Sequence, residues 1–195
     1  MRVIAGKFRS RQLRSTRGMD VRPTSDRLRE TLFNVLTAGN PDALEGSVWL
    51  DLFAGTGAVG IEALSRGAAK VYFVDQSRQA VNMIRENLNS LTIASPAAEV
   101  LNQGCAPAIP VLNRQGINPD YIFLDPPYAS TDAYQQTLQA LGQTQSFLGA
   151  LVIVEHEKKF DPGESFEELQ RFRKLQQGDA VLSFYKRAEK REASP

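Results

Sequence analysis

The chain has 195 residues and a formal net charge of +1, with 42% hydrophobic and 23% charged residues. These values are ordinary for a globular protein of one domain, and no apolar run approaches the ~18 residues that a membrane-spanning helix needs. The single cysteine, Cys105, excludes an intrachain disulfide, and together with the single histidine, His156, it offers no recognisable zinc site. We therefore expect a cytoplasmic protein without a bound metal.

The first 29 residues carry a positive charge that the overall composition hides. They hold nine basic and two acidic side chains, whereas the rest of the chain holds fourteen basic and twenty acidic ones. Eight of the nine are arginines, whose guanidinium groups bind phosphates with two hydrogen bonds and stack on bases. The segment therefore predicts binding to RNA or DNA. The predicted contacts are Arg2, Lys7, Arg9, Arg11, Arg14, Arg22 and Arg27.

The local sequence of this segment favours a β-hairpin. Residues 1–6 are strand-like, and residues 11–14 can pair with them across a glycine-containing turn. A solvated basic segment and an arginine-rich mitochondrial presequence are the alternatives, although a presequence would form an amphipathic helix. We predict a basic arm over residues 1–22, a main domain over 23–187 and a flexible tail over 188–195.

The main domain begins with an amphipathic helix that starts at Thr24, Ser25 or Asp26 and ends at residues 39–41. Strands and helices then alternate, which predicts a largely parallel sheet with helices on both faces. Pro107 and Pro110 interrupt the third helix after the first strand. Strands are predicted near 48–53, 70–74, 98–102, 120–124 and 150–155, helices near 58–66, 77–89, 105–114 and 133–143, and a final pair of strands at 169–175 and 180–185, joined by a turn at 177–179.

A glycine turn follows the first strand of the sheet. The strand 48–53 leads directly into Gly55, Gly57 and Gly60, which fit the spacing of a dinucleotide-binding turn at the start of a helix. Asp51 lies inside the strand end, where a carboxylate would repel a pyrophosphate but attract the ammonium group of S-adenosylmethionine. Asp75, at the end of the next strand, can accept hydrogen bonds from ribose hydroxyls. We therefore favour S-adenosylmethionine over a nicotinamide cofactor.

A second motif, Asp125-Pro126-Pro127-Tyr128, follows the apolar strand 120–124. Two successive prolines form a rigid turn, and their carbonyls accept hydrogen bonds although they have no N–H to donate. A carboxylate, bare carbonyls and an aromatic ring at one strand end suit a planar base with an NH2 group. The amine would donate to Asp125 and to a proline carbonyl while Tyr128 stacks on the ring. An ordinary turn is the alternative interpretation.

Asp51, Asp75 and Asp125 all follow or end strands of the predicted parallel sheet. Ligands of such sheets bind beyond the carboxyl ends of the strands. The sequence therefore predicts one shared active site at this edge.

These residues resemble a class I S-adenosylmethionine-dependent methyltransferase, and more closely the RsmD family. The resemblance covers nearly the whole chain. It is most specific in residues 22–30, with the sequence RPTSDRLRE, and in residues 50–57, with the sequence LDLFAGTG. It implies a Rossmann-like α/β fold with a seven-stranded, mostly parallel sheet that ends in an antiparallel hairpin.

The resemblance also implies site residues and a substrate. Asp125, Pro126, Pro127 and Tyr128 would hold the base that is methylated. The activity implied is methylation of the exocyclic N2 of one guanine in 16S ribosomal RNA. We expect a monomer that meets this RNA within a small-subunit particle, although the basic arm suits free RNA as well. The cofactor-binding residues implied are Asp51, Phe53, Ala54, Gly55, Thr56, Gly57, Asp75 and Gln76, with Asn102 or Gln103 near the adenine.

Three other functions remain open from the sequence. An adenine-N6 methyltransferase would use the same chemistry at Asp125. A nucleic-acid-binding module with an inactive site would lack the need for Asp51, Asp75 and Asp125 together. An oxidoreductase with a nicotinamide cofactor is disfavoured by Asp51.

Overall fold

Helices and strands alternate along the chain in the predicted order. The computed structural model describes residues 1–15, 26–144, 147 and 149–188. The helices are α1 (Asp26–Leu36), α2 (Ala58–Ser65), α3 (Arg78–Ser90), α4 (Cys105–Arg114) and α5 (Thr131–Gln143). The strands are β1 (Val48–Leu52), β2 (Lys70–Asp75), β3 (Ala98–Asn102), β4 (Tyr121–Leu124), β5 (Leu151–Glu157), β6 (Ser165–Phe166), β7 (Leu169–Gln177) and β8 (Ala180–Arg187).

All eight of these strands form one sheet in the order β3-β2-β1-β4-β5-β8-β7-β6. The first five in sequence are mutually parallel, and β8 then pairs antiparallel with both β5 and β7. The predicted α/β fold with a terminal antiparallel hairpin is therefore confirmed. The sheet has one strand more than the predicted seven, because the two residues of β6 pair with the start of β7. So short a strand gives no periodic signal in a sequence.

Each face of the sheet is covered by its own set of helices. One hydrophobic core joins α1, α2 and α3 to residues such as Trp49, Phe73 and Phe184. The other joins α4 and α5 to residues such as Leu50, Leu124 and Val152. The two cores use alternate residues of the same strands, because successive side chains of a strand point to opposite faces. Helix α4 forms over its predicted range with Pro110 inside it.

The first 15 residues lie against the domain, and only one residue pair has strand pairing. The predicted hairpin is reduced to an isolated antiparallel bridge between Arg2 and Gln12. Val3 and Leu13 are buried in the core of α1, α2 and α3. The backbone N–H groups of Ile4 and Ala5 donate to the Glu62 carboxylate of α2 at 2.8 and 3.0 Å. Residues 16–25, which include part of the predicted arm and the predicted helix start, lie outside the described residues.

Candidate active site at the carboxyl edge of the sheet

The predicted acidic residues meet at one edge of the sheet. In β1, Leu52 pairs with Val74 of β2 on one side and with Leu124 of β4 on the other. The residues that follow these three are Phe53, Asp75 and Asp125. The parallel pairing therefore places Asp75 and Asp125 on either side of Phe53, as the sequence predicts.

The segment after β1 turns sharply into α2. Phe53, Gly55 and Gly57 all have positive φ, at 60°, 56° and 76°. Such a backbone is easy for glycine and costly for phenylalanine. Gly57 is the residue before α2, and a side chain there would also approach Phe73 and Ile84 to 3.3 Å. The turn therefore requires glycine at position 57 for its conformation and for packing.

Asp75 holds this turn in place. One of its carboxylate oxygens accepts the N–H of Gly55 at 2.9 Å, and the other accepts the N–H of Ser77 at 2.8 Å. A carboxylate can accept about four hydrogen bonds, so Asp75 retains capacity for a ligand. The side-chain amide of Asn102 donates to the carbonyls of Asp75 and Gln76 at 3.1 and 2.9 Å. Asn102 therefore stabilises the position of the end of β2.

Asp51 is buried beneath the turn. Its side chain accepts the N–H of Gly60 at 2.9 Å, and the residue is 2% exposed. Burial raises the pKa of this carboxyl to about 7, with the hydrogen bond from Gly60 opposing the shift and the charge of Asp75 adding to it. Asp51 therefore changes its charge near neutral pH, and a cationic ligand close to it would favour the ionised form.

Cys105 contacts the turn after β1, a role that the sequence did not predict. Its thiol accepts the N–H of Phe53 at 3.2 Å and donates to the carbonyl of Val74 at 3.7 Å. Burial raises the pKa of this thiol to about 12, so it stays protonated and unreactive. Cys105 thus supports the positive-φ conformation of Phe53. A single cysteine gives no sequence signal for such a role.

The loop after β4 is held by Tyr134 and Glu155, for which the sequence predicted no role. The hydroxyl of Tyr134 in α5 lies 3.2 Å from the carbonyl oxygen of Pro126 and 3.1 Å from that of Glu155. The hydroxyl of Tyr128 donates to the Glu155 carboxylate at 3.3 Å. Pro126 is buried, whereas Asp125 and Tyr128 are partly exposed. Asp125, Pro127 and Tyr128 are therefore accessible on a loop that Tyr134 and Glu155 hold in place, whereas the Pro126 side chain is not.

Most of the predicted nucleic-acid contacts lie on the surface. Arg2, Arg9 and Arg27 line a groove of about 410 Å³, together with Asp26 and Glu30. Lys7, Arg11 and Arg14 are also exposed, and Arg14 pairs with Glu86 at 2.8 Å. Arg22 lies outside the described residues.

Arg29 belongs to the basic N-terminal segment, but its side chain is buried and contributes to the packing of the protein. It is fully buried, and it lies 2.9 Å from Asp26 and 3.7 Å from Glu62. Its guanidinium also donates to the carbonyl of Arg2 at 2.5 Å. Burial lowers the pKa of Arg29, which the charges of Glu62 and Asp26 oppose. Arg29 therefore joins α1 to the N-terminal segment.

The described residues contain neither a membrane-spanning helix nor a cluster of metal ligands. No helix among them is both long and apolar enough to cross a membrane. Within the same described ranges, no group of three or more histidine, cysteine or acidic side chains is arranged to hold a metal ion.

Comparison with known proteins identifies the family. The family described as conserved hypothetical protein 95 matches residues 1–186. The chain belongs to this family. Its relatives include a Haemophilus influenzae protein named ribosomal RNA small subunit methyltransferase D, which is 38% identical over 160 residues, 81% of this chain and 79% of that protein. This is the RsmD family that the sequence resembles.

Two further members extend the likeness over nearly the whole chain. A Bacillus subtilis protein, named as a proposed rRNA methyltransferase, is 31% identical over 188 residues, which is 96% of this chain and 99% of the relative. A solved structure from Escherichia coli, named as a proposed methyltransferase, has a TM-score of 0.78 and 30% identity, and the match covers 96% of this chain and 97% of that one. The fold of this RsmD-family chain is thus the class I methyltransferase fold.

Proposed function

We propose that this RsmD-family chain transfers the methyl group of S-adenosylmethionine to the exocyclic N2 of a guanine in 16S ribosomal RNA. The observation that carries the proposal is the meeting of the Asp125–Tyr128 loop with Asp51 and Asp75 at one edge of the sheet. The name of the Haemophilus relative supports ribosomal RNA of the small subunit as the substrate.

The residues around the glycine turn fit S-adenosylmethionine. Asp51 offers negative charge to its ammonium group, and Asp75 offers carboxylate oxygens to its ribose hydroxyls. The space beside the Cα of Gly55 is open, because a Cβ added there would find only one atom within 4 Å. Since glycine has no side chain to fill this space, a ligand can approach the backbone of the turn closely. We assign Phe53, Ala54, Thr56, Gly57 and Gln76 to the same pocket, with Asn102 or Gln103 near the adenine. When bound, S-adenosylmethionine supplies an electrophilic methyl group.

The loop after β4 would bind the guanine amine through its two protons. One N–H donates to the Asp125 carboxylate, and the other donates to the carbonyl of Pro126, which has a second lone pair besides the one that Tyr134 occupies. These two bonds orient the nitrogen and increase its electron density. Pro127 keeps the turn rigid, and Tyr128 replaces the stacking that the base loses when it leaves its neighbours.

Proton transfer completes the reaction. Once the guanine nitrogen has accepted the methyl group that S-adenosylmethionine would supply, this nitrogen is acidic and must lose a proton. Asp125 already accepts a hydrogen bond from this nitrogen in the proposed complex, so it can take the proton and pass it to water. This scheme uses no metal ion and no covalent enzyme intermediate.

The exposed cations of the N-terminal segment would bind the RNA backbone. Arg2, Arg9 and Arg27 meet at one groove, and three further predicted contacts, Lys7, Arg11 and Arg14, are exposed nearby in the chain. Arg22 completes the proposed set. We infer a monomer that acts in the cytoplasm on a small-subunit particle.

In vitro methylation tests the proposal. The protein is incubated with methyl-labelled S-adenosylmethionine and with either naked 16S RNA or small subunits from a strain lacking this methylation, and the labelled nucleoside is then identified. N2-methylguanosine is the expected product. N6-methyladenosine would overturn the guanine assignment and identify the adenine alternative, because an adenine amine offers the same two protons to Asp125 and Pro126.

The Asp125→Ala variant tests the mechanism. We expect its turnover to fall by at least about 100-fold while its affinity for S-adenosylmethionine stays within a few-fold. Asp132→Ala is the matched control, since Asp132 is an exposed carboxylate in the first turn of α5. If Asp125→Ala kept its turnover within about twofold of the wild type, the proposed role of Asp125 would be wrong.

A further inference from the structure

Phe172 is exposed in the middle of strand β7. It is 56% exposed, and among the described residues it is the large hydrophobic side chain that stands out as exposed. Exposure of an apolar ring to water is unfavourable, and burial of the ring against a partner would stabilise it. Its surroundings indicate what could cover it.

A β-bulge turns Phe172 toward its present position. In the pairing with β8, Arg171 lies opposite Tyr185, and Arg173 lies opposite the adjacent Phe184, so Phe172 is the extra residue. Bulges alter the direction of side chains and are common next to functional sites. Without the bulge, Phe172 and Arg173 would point to opposite faces of the sheet.

Two cations accompany the exposed ring. The ammonium of Lys186 lies 5.4 Å from the ring centre of Phe172, and the guanidinium of Arg173 lies 5.7 Å from that of Phe184. Neither cation forms an ion pair with another described residue, whereas their neighbour Arg171 pairs with Asp161 at 2.5 Å. Phe184 meets Phe172 at 54° and 6.4 Å, so it supports the ring from the side and does not stack on it.

The position of the ring relates it to the proposed active site. Phe184 belongs to the same core as Val3 and Leu13, so Phe172 and the N-terminal segment lie on the same face of the sheet. The order β3-β2-β1-β4-β5-β8-β7-β6 places β7 three strands from β4, which carries Asp125 at its end. At about 4.8 Å per strand, this separation is roughly 14 Å.

We propose that Phe172, Arg173 and Lys186 form a platform for a single-stranded part of the substrate RNA. A base stacks on Phe172 while Lys186, on its flexible side chain, moves from the ring to a neighbouring phosphate. Arg173 binds the next phosphate. An aromatic ring beside cations that pair with no described acidic residue is a combination that proteins commonly use to bind single-stranded RNA. The N-terminal segment and this platform would then hold the RNA on both sides of Asp125. The inference rests on the proposed function.

A second copy of the chain is the competing occupant. The N–H of Arg171 still donates to the carbonyl of Glu164 at 2.8 Å, but beyond Arg171 strand β7 has no backbone partner on its outer side among the described residues. Such an edge can pair with another chain, but Arg173 on this edge and Lys186 on the adjacent strand β8, whose charges no described acidic residue compensates, oppose this. The charge therefore favours a polyanion over a like-charged copy.

RNA binding by variants of Phe172 tests the platform. Affinity is measured with fluorescently labelled single-stranded RNA of about 12 nucleotides and with an abasic RNA of equal length and charge. We expect Phe172→Ala to weaken binding of the normal RNA about tenfold. Phe172→Trp should restore it, and the abasic RNA should bind both variants alike, since it has no base to stack. Gln176→Ala, exposed on the same strand, is the control and should match the wild type.

Each outcome has a separate meaning. Normal affinity of Phe172→Ala for RNA would overturn the platform, and so would sedimentation that showed a wild-type dimer and a Phe172→Ala monomer. Wild-type protein that binds RNA through Phe172 but transfers no methyl group would leave the platform standing and refute the proposed function. Because Phe172 is exposed, its substitution removes no core contact, and an unchanged thermal midpoint confirms that the variant is folded.

Discussion

The hydroxyl of Tyr134 lies 3.2 Å from the carbonyl oxygen of Pro126 and donates a hydrogen bond to it. The same hydroxyl lies 3.1 Å from the carbonyl of Glu155, so one buried side chain of α5 joins the loop after β4 to strand β5. Tyr134 is fully buried, and burial raises its pKa, with nearby acidic groups such as Asp125 adding to the shift. It stays protonated and therefore remains a donor.

Tyr134→Phe removes this donor without changing the shape of the ring. We expect the free energy of unfolding to fall by about 1–2 kcal/mol, because the buried carbonyls of Pro126 and Glu155 lose the one O–H donor that they share. We also expect kcat to fall about tenfold, since the carbonyl that we propose as the acceptor of the substrate amine is no longer fixed. The KM for S-adenosylmethionine should not change. Urea denaturation and steady-state kinetics measure the three quantities.

Tyr121→Phe is the matched control for this prediction. Tyr121 donates a hydrogen bond of 3.0 Å to the carbonyl of Ala43, at the opposite end of β4 from Asp125. We expect Tyr121→Phe to lose comparable stability and to keep its kcat. Equal kcat values for the two variants would show that Tyr134 acts only on stability.

Glu62 determines how firmly the N-terminal segment is held. Its buried carboxylate accepts the N–H groups of Ile4 and Ala5, and it pairs with Arg66 at 2.7 Å and with Arg29 at 3.7 Å. Removing one member of a buried charged group typically costs about 3–5 kcal/mol. We therefore expect Glu62→Ala to lower the free energy of unfolding by about that amount, as measured by urea denaturation.

Glu86→Ala provides the comparison on the same segment. Glu86 pairs with Arg14 at the surface, with side chains that are 49% and 70% exposed. Such pairs contribute about 0–1 kcal/mol, so Glu86→Ala should be nearly as stable as the wild type. Similar losses in both variants would contradict the special role of Glu62.

The carboxyl edge was predictable from the sequence because its elements are local. Alternating strands and helices fix a parallel sheet, and a parallel sheet brings the residues after its strands to one edge. Asp75 and Asp125 could therefore be placed together without any knowledge of contacts. The same argument located the glycine turn beside them.

The supporting residues could not be predicted, because they act across long distances in the chain. Tyr134 reads as an ordinary apolar position of an amphipathic helix, and Glu62 reads as a surface carboxylate. Arg29 lay within a basic segment, and nothing local distinguishes it from its exposed neighbours. Each acquires its role only when α1, α2, α5 and the N-terminal residues pack together.

The predicted RNA binding by the N-terminal cations is best tested with point substitutions. Removing the segment would expose the core around Val3 and Leu13, so point substitutions are the cleaner test. We expect the double variant Arg9→Gln/Arg27→Gln to bind RNA more weakly and with a smaller salt dependence. Each lost phosphate contact should reduce the slope of log K against log salt by about 0.7 for single-stranded RNA.

Arg78→Gln/Arg85→Gln is the control for this pair, because both arginines are exposed on α3 and carry the same total charge. Its salt slope should match that of the wild type. A slope that falls equally in both double variants would mean that net charge, and not the position of Arg9 and Arg27, determines RNA binding.

Asp51 gives a pH dependence for cofactor binding. With its pKa raised to about 7, the free protein carries a proton on Asp51 below that pH. An ammonium ion beside the carboxyl favours its ionised form, so binding releases the proton. The affinity for S-adenosylmethionine should therefore weaken by up to tenfold for each unit from about pH 7 down to about pH 5. Calorimetric titration across this range measures it, and the ligand's own amino group stays protonated there.

Asp51→Asn separates this charge effect from packing, because an amide oxygen can still accept the N–H of Gly60. We expect weaker binding at about pH 7 and a flat profile below it, since the amide does not titrate.

The folding stability of the wild type should change with pH in the opposite direction to its cofactor affinity, because it should fall as the pH rises. A carboxyl whose pKa is raised by folding stabilises the protein fully below its unfolded pKa of about 3.9, and this stabilisation is lost as the pH rises through about 7. The wild type should thus lose stability relative to Asp51→Asn between about pH 4 and about pH 7, and a stability difference that stays constant over this range would show that folding does not raise the pKa of Asp51.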